Sequence, residues 1–261
     1  ACVSVVAVFV ICIFLFANGL PAIMKIGAWQ FLSGTEWRPN NNVFGIFPMI
    51  VGSVYTTIGA LLIGVPVGIL SAVYMVVYCP KRIYPLLRSG VQLLAGIPSV
   101  VYGFFGLMVL VPWVRDTFGG RGLSVMTAAI LLGMMILPTI ISVSESSIRS
   151  VNTSYYEGSI GLGATHERSI FHVVLPACKS GILTGVVLGL GRAIGETMAV
   201  IMVAGNQAAI PEALTDGVRT LTTNIVMEMG YAADLHRQAL VGTAVVLFIF
   251  ILIINFALAL L

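Results

Sequence analysis

Long apolar stretches are the feature that most restricts how this chain can fold. There are six of them, and most approach or exceed the roughly 20 apolar residues that a helix needs to cross a bilayer. Only 9% of the residues are charged, against about 25% in soluble domains. We therefore predict an all-α integral membrane protein with spans at Cys2–Phe16, Pro48–Tyr78, Ser89–Val111, Val125–Ser144, Ser180–Ala204 and Ala239–Leu261.

We expect one transmembrane domain over residues 1–261. Residues 1–47 would form the first span and an outer segment, and residues 48–261 a core that includes a polar loop at residues 145–179. Both ends of the chain lie inside apolar runs, so we expect further residues beyond them.

Charge gives little further direction. The net charge of +3, without a basic run, argues against a nucleic-acid partner. Lys and Arg are divided equally between the two predicted sides, so the positive-inside rule does not orient the chain. The four cysteines lack C-x-x-C spacing, and we expect buried small side chains rather than metal ligands. We expect the three histidines to be solvated.

The polar loop before the fifth span has the signals of two short helices. Ser154-x-x-Glu157 has the form of a capping box, and Gly161 or Gly163 could end that helix in the left-handed region. Thr165 could cap a second helix, which a proline would break before the span. This pattern predicts a helix–turn–helix at the membrane surface. A surface hairpin without any partner fits the same signals.

The fifth span carries the charged residues Arg192 and Glu196. Arg192 would lie about 18 Å along the helix, near the middle of the bilayer core. Arginine there costs about 2.5–3.5 kcal/mol and cannot lose its proton, but Glu196 at i+4 could pair with it. A structural salt bridge is one interpretation. We favour a cationic point in an anion path, because a guanidinium binds phosphate-like oxygens with two hydrogen bonds.

Glycines on the same span also have a regular spacing. Gly181, Gly185 and Gly189 recur every four residues, which predicts a face where another helix approaches closely.

The third span is interrupted by Pro98. Proline removes one helical N–H donor, and such breaks are tolerated where the backbone is buried in protein or lines a cavity. Ser99 and Tyr102 could then donate hydrogen bonds to an oxyanion. A plain proline kink is an equally good interpretation.

The polar loop resembles the EAA loop of bacterial ABC-importer permeases. Glu157-Gly158-Ser159, then Gly163, then Val173-x-Leu175-Pro176 match its spacing, with Gly and Ser for the two alanines and Val for Ile. The resemblance implies a six-helix type I ABC-importer transmembrane domain, MetI-like. It also implies that the loop is cytoplasmic and docks on the ATP-binding subunit through Glu157, Gly158, Ser159, Gly163, Leu175 and Pro176.

Longer strings resemble one branch of these permeases, the phosphate-specific transport (Pst) systems, and their PstC type rather than their PstA type. The strings are GTEWRPN, FGIFPMIVGS, LAGIPSVVYGFFGL and GLGRAIGETMAV. The resemblance implies a second permease of the PstA type, a dimer of PstB-type ATPases and an extracytoplasmic phosphate-binding protein of the PstS type. It also ties Arg192 to phosphate passage in the bacterial cytoplasmic (inner) membrane, whereas the role of Glu196 rests on spacing alone.

We therefore expect a non-catalytic permease subunit of an ATP-driven phosphate importer, with a substrate path at Arg192, Glu196, Ser99 and Tyr102. No G-x-x-x-x-G-K-[ST] sequence occurs, so ATP and Mg would bind to the partner, and we expect neither cofactor nor metal in this chain. An ABC permease for sulfate or molybdate, an ATP-independent secondary anion transporter and a structural scaffold remain alternatives.

Overall fold

Helices account for most of the chain. The structure, a computed structural model, describes residues 2–259 and the side chains of residues 3–256. Its α-helices are α1 (Cys2–Ile26), α2 (Ala28–Ser33), α3 (Phe47–Val73), α4 (Tyr84–Gly96), α5 (Ser99–Phe105), α6 (Val111–Phe118), α7 (Val125–Arg149), α8 (Thr153–Gly161), α9 (His166–Ser169), α10 (Leu175–Ala177), α11 (Lys179–Gly195), α12 (Met198–Val203), α13 (Leu221–Met229) and α14 (Asp234–Ala259).

Three other kinds of element complete the fold, one of them a 3-10 helix at Pro39–Asn41. Short π-helical stretches extend α3 and join α5 to α6 and α9 to α10; they are Tyr74–Tyr78, Gly106–Leu110 and Ile170–Val174. The strands β1 (Trp37–Arg38) and β2 (Val43–Phe44) form an antiparallel hairpin, with Trp37 opposite Phe44.

Five helical stretches within residues 2–259 are long and apolar enough to cross a membrane. They are Val3–Ile26, Phe47–Tyr78, Ser99–Phe118, Val125–Arg149 and Asp234–Phe256. The number rises to six if His166–Ala177 and Lys179–Gly195, which are bent by 69°, are taken as one span. The predicted all-α membrane protein is confirmed.

The third predicted span, Ser89–Val111, is wrong in its position. Ile97 has an extended backbone, with ψ 127°, and ends α4, because the residue before a proline is forced away from the helical region. The span begins after Pro98 and runs over Ser99–Phe118. The preceding α4 is a separate helix that contains no buried residue.

The fifth predicted span, Ser180–Ala204, is not continuous. α11 ends at Gly195 and α12 begins at Met198, and Thr197 between them has φ −122° and ψ −53°. The hydrophobic run concealed this break, because apolar composition does not depend on whether a helix is broken.

The chain folds into two compact units. Unit 1 comprises the described residues of Ala1–Gly59, Ser99–Leu131 and Ile194–Leu261, and unit 2 comprises Ala60–Pro98 and Leu132–Ala193.

In unit 1, α1 packs along α14 and α5 packs on α12. Glycine makes the second approach close, because a Cβ on Gly103 would lie only 2.9 Å from the Cα of Ala199. A buried apolar cluster that includes Phe31, Trp37 and Phe44 joins the hairpin to the helices around it.

In unit 2, the three glycines of α11 face α7. A Cβ on Gly181 would lie 2.7 Å from Cβ of Ser147, one on Gly185 would lie 3.2 Å from Cβ of Val143, and one on Gly189 would lie 3.0 Å from Cγ1 of Ile140. The close helix approach predicted from the spacing is confirmed.

The other end of unit 2 holds the polar loop against the ends of two long helices. Its buried cluster consists of Ala72, Val73, Ile148, Ile170, Val174, Cys178 and Ile182. Residues from α3, α7 and the loop therefore share one small core.

We expect Gly185→Leu to destabilise this packing. The new side chain would collide with α7, and overpacking of this kind costs about 1–3 kcal/mol. Gly191→Leu on the same helix is the matched control, because nothing lies within 4 Å of a Cβ at Gly191. Thermal unfolding of the purified chain in detergent measures both. Equal stability losses would contradict the close approach.

Candidate functional site

Arg192 lies in the last turn of α11, in unit 2. Its side chain is half-buried, and Nη1 donates a hydrogen bond to Oγ1 of Thr139 on α7 at 3.4 Å. This is the one hydrogen bond of that side chain among the described residues, so most of the five N–H donors of the guanidinium are left for a ligand. The carbonyl end of a helix also favours a positive charge.

Glu196 lies just beyond the end of α11, in unit 1. Its Oε1 accepts hydrogen bonds from the backbone N–H groups of Thr197 and Ala199, both at 3.2 Å. It therefore caps the start of α12 with a carboxylate, where the helix dipole favours a negative charge.

The predicted i,i+4 pairing of Arg192 with Glu196 assumed one continuous helix. Because α11 ends at Gly195, that spacing does not continue to Glu196. The two charges instead lie at consecutive helix ends, each of which favours the sign it carries.

Ser99 and Tyr102 both lie on α5 in unit 1, the helix that packs on α12. Ser99 is half-buried in the first turn, and Tyr102 is buried. The structure thus places both residues on the element next to the one that Glu196 caps. Their contact with a substrate stays a prediction.

The polar loop forms the predicted helix–turn–helix. α8 ends at Gly161, and Gly163 follows with φ +87°, a conformation that favours glycine. Thr165 caps α9 as predicted, since its Oγ1 accepts the N–H of Arg168 at 3.3 Å.

The predicted capping box at Ser154 is wrong. Asn152 is the N-cap of α8, and its Oδ1 accepts the N–H of Ser154 at 3.0 Å. Asparagine is as good an N-cap as serine, and α8 therefore begins at Thr153. The helical break before α11 falls at Cys178, two residues after Pro176.

The residues predicted to dock a partner lie along one helical hairpin in unit 2, residues 153–177, which we call the docking hairpin. Glu157, Gly158, Gly163 and Pro176 are exposed, whereas Ser159 is half-buried and its Oγ lies 2.9 Å from Oγ of Ser169. Leu175 packs against the apolar cluster of unit 2. Ser159 and Leu175 thus stabilise the hairpin, whereas the other predicted docking residues are exposed on its surface.

The same hairpin exposes large apolar side chains. Leu162 is 92% exposed, and Tyr155 and Phe171 are about half exposed. Exposed apolar side chains on a polar hairpin are typical of a protein-binding surface.

A buried charged cluster in unit 1 was missed by the sequence analysis. The Glu228 carboxylate accepts hydrogen bonds from Arg219 Nη1 at 2.7 Å, Trp37 Nε1 at 2.7 Å and His236 Nε2 at 2.8 Å. The Glu228 carboxylate thereby joins the β1–β2 hairpin, α13 and the start of α14. No local signal marks this cluster, because Trp37 and Glu228 lie 191 residues apart in sequence.

Two histidines predicted to be solvated are not. His236 belongs to the Glu228 cluster, and His166 contacts the rings of Tyr78 and Tyr156 and lies within hydrogen-bond distance of the Tyr156 hydroxyl. His172 is exposed, as predicted.

Comparisons with known proteins identify the kind of chain that carries these features. Residues 64–261 match the family model "Binding-protein-dependent transport system inner membrane component". The chain is 39% identical over 267 residues to the "Probable ABC transporter permease protein YqgH" of Bacillus subtilis, covering 98% of this chain and 86% of that protein. It is 35% identical to the "Phosphate transport system permease protein PstC" of Mesorhizobium japonicum, covering 92% and 79%.

Solved structures agree on the fold. A chain of the inward-facing MetNI methionine ABC transporter superimposes with a TM-score of 0.62 at 20% identity, covering 89% of this chain and 94% of that one. A chain of a bacterial alginate ABC transporter gives 0.60 at 16% identity, covering 98% and 93%. The predicted type I, MetI-like permease fold is confirmed. The chain belongs to the family of inner membrane components of binding-protein-dependent transport systems.

Proposed function

We propose that this chain is a permease subunit of an ATP-driven importer that moves inorganic phosphate across the cytoplasmic membrane. It lines the path together with a second permease subunit, and it docks an ATPase through the hairpin that contains Glu157 and Pro176. It is not itself a catalyst, and ATP with its Mg binds to the partner.

The observation that carries this proposal is the broken helix at Gly195–Thr197. A permanently charged guanidinium lies at the end of α11, inside an apolar run, with most of its N–H donors uncommitted. Intramembrane charges of this kind are costly and commonly mark an ion pathway. Two N–H groups of one guanidinium match the spacing of two oxygens of a tetrahedral oxyanion.

The substrate class is supported by the relatives. Several that are 30–35% identical over most of the chain are named phosphate transport system permease protein PstC. They motivate the choice of phosphate over sulfate or molybdate, which the guanidinium alone does not distinguish.

The helix break also suggests a separate role for each residue of the proposed path. Arg192 would hold the oxyanion, while Glu196 would fix the start of α12 by accepting hydrogen bonds from its N–H groups. Ser99 and Tyr102 would add neutral hydrogen bonds from α5. At a helix break of this kind, backbone groups that are free of helical hydrogen bonds can bind a substrate together with side chains inside a membrane.

The partners follow from the same proposal. A PstS-type binding protein would deliver phosphate on the outer side, and a PstA-type permease would supply the other wall of the path. Closure of two PstB-type ATPases would pull on the hairpins. The shared apolar core of the hairpin, α3 and α7 would transmit that movement to the spans.

The function is tested in proteoliposomes that hold this chain with its candidate permease, ATPase and binding-protein partners. We expect ATP-dependent entry of labelled phosphate that excess sulfate and molybdate leave unchanged. Entry of sulfate or molybdate instead would keep the ABC permease and overturn the substrate. Phosphate entry without ATP would indicate a secondary transporter.

In the same assay, we expect Arg192→Gln to lower phosphate entry at least about tenfold, the effect of losing one charged hydrogen bond of about 1.5 kcal/mol or more. The complex should still assemble. Arg115→Gln is the control, because Arg115 is an exposed arginine paired with Asp116. If Arg192→Gln prevents assembly instead, the residue is structural and not part of a path.

A second variant tests the hairpin. Gly163→Asp should abolish ATP-driven uptake while the chain still inserts in the membrane, since a side chain at φ +87° strains the turn between α8 and α9. Gly161→Asp adds the same charge two residues away at a position without positive φ and with nothing within 4 Å of a Cβ. We expect it to retain uptake. Normal uptake by Gly163→Asp would contradict the proposed docking role of the hairpin.

A further inference from the structure

α7 is the most buried of the candidate spans, yet the side chains that it exposes are all polar. Its three exposed residues are Ser142, Ser146 and Arg149. Their i, i+4, i+7 spacing places them on one face of the helix. Thr139, half-buried, continues that face by one turn. We call these four residues the polar stripe.

A polar stripe is not what lipid selects. The exposed side chains of α1, for example, are Val, Ile and Phe at most positions. Polar groups on a spanning helix normally face protein or a water-filled cavity. The polar stripe therefore faces water or a polar surface.

The polar stripe connects two groups of charges within unit 2. At one end, Thr139 accepts the hydrogen bond from Arg192. At the other end lies Arg149, ten residues further along α7, which is about 15 Å at 1.5 Å per residue. Arg149 is the last residue of α7, next to the docking hairpin in sequence.

The far end of the polar stripe opens into a cavity of about 270 Å³ between α4 and α7. Its lining includes the polar residues Arg88, Gln92, Ser142, Glu145, Ser146 and Arg149. Tyr84, Arg88 and Gln92 are spaced four residues apart on α4, so one face of that helix turns its polar groups to the cavity.

The charges of this cavity do not cancel. The buried Glu145 accepts hydrogen bonds from Nε of Arg149 at 2.9 Å and from the Tyr84 hydroxyl. Arg88 donates to the Tyr84 hydroxyl at 3.2 Å and makes no ion pair among the described residues. One carboxylate thus stands against two guanidiniums, and the surplus is one positive charge.

The same contacts fix the arginines in place. The guanidinium of Arg149 lies 4.7 Å from the centre of the Tyr84 ring, while its Nε is held by Glu145. Each guanidinium commits one group in these bonds and keeps further N–H donors at the cavity wall. A cationic cavity with planar donor forks and serine hydroxyls suits a phosphate group.

We propose that this cavity is a second oxyanion site, which receives phosphate from Arg192 along the polar stripe and releases it on the side of the docking hairpin. The proposal rests on the proposed function, because it deepens the same path. Ile148 of α7 shares the apolar core of the hairpin, so movement of the hairpin reaches the cavity directly.

Thiol labelling in the assembled complex tests the site without relying on transport. The native cysteines are replaced, and Ser146→Cys is exposed to two methanethiosulfonate reagents, one anionic and one cationic, added from the docking-hairpin side with and without ATP. We expect the anionic reagent to react faster. Leu93→Cys on α4, an apolar position that is 72% exposed, should react slowly with both reagents.

Arg88→Gln then tests the charge. Loss of this positive charge should lower the ratio of anionic to cationic labelling rates several-fold, because it slows the approach of the anion and speeds that of the cation. Arg82→Gln, an exposed arginine outside the cavity lining, should leave the ratio unchanged. The same ratio in Arg88→Gln as in the unchanged cavity would overturn the proposal. A lack of labelling both with and without ATP would also overturn it.

Two sources of the phosphate group are separated by lipid composition. In neutral phosphatidylcholine vesicles, millimolar inorganic phosphate should slow labelling of Ser146→Cys several-fold. If inorganic phosphate has no effect and only vesicles with phosphatidylglycerol slow labelling, the cavity holds a lipid headgroup and is not an exit site. Phosphate uptake is measured on the same vesicles containing wild-type complex. Absence of uptake there would count against the proposed function. Normal uptake, together with equal labelling rates of Ser146→Cys by the anionic and the cationic reagent, would count against this site alone.

Discussion

A guanidinium cannot give up its proton to enter a membrane, and the rest of this structure accommodates that constraint. Arg192 lies at the carbonyl end of α11 and bonds to Thr139, while the helix stops three residues later. The break costs backbone hydrogen bonds, which the Glu196 carboxylate partly restores by accepting N–H groups at the start of α12. Interrupting the helix therefore allows each charge to be stabilised by the end of a helix.

The close packing of α11 on α7 depends on side chains being absent. The glycines at 181, 185 and 189 bring the two helices together, which places Thr139 within reach of Arg192. The same approach leaves the polar stripe of α7 on the remaining open face. Small residues on one helix and polar residues on the other thus act together to place Arg192 at one end of the polar stripe.

The docking hairpin and the Glu228 cluster show two ways of fixing non-spanning segments. The hairpin uses a small apolar core shared with α3 and α7, and it leaves Leu162 and other apolar side chains exposed. The Glu228 cluster uses one buried carboxylate with three donors. A buried carboxylate is tolerable because both of its oxygens accept hydrogen bonds and Arg219 balances its charge.

The sequence by itself determined the membrane fold, the glycine face of α11, the turn at Gly163 and the candidate role of Arg192. These follow from composition, from spacing along one helix, or from residue types with few alternatives. Tertiary structure decided the break after Gly195, the separation of α4 from the third span, and the groups around Glu228 and Glu145. An apolar run looks alike whether its helix is whole or broken, and partners such as Trp37 and Glu228 lie far apart in the chain. Only folding brings such residues together, because hydrogen bonds between distant elements leave no periodic trace in sequence.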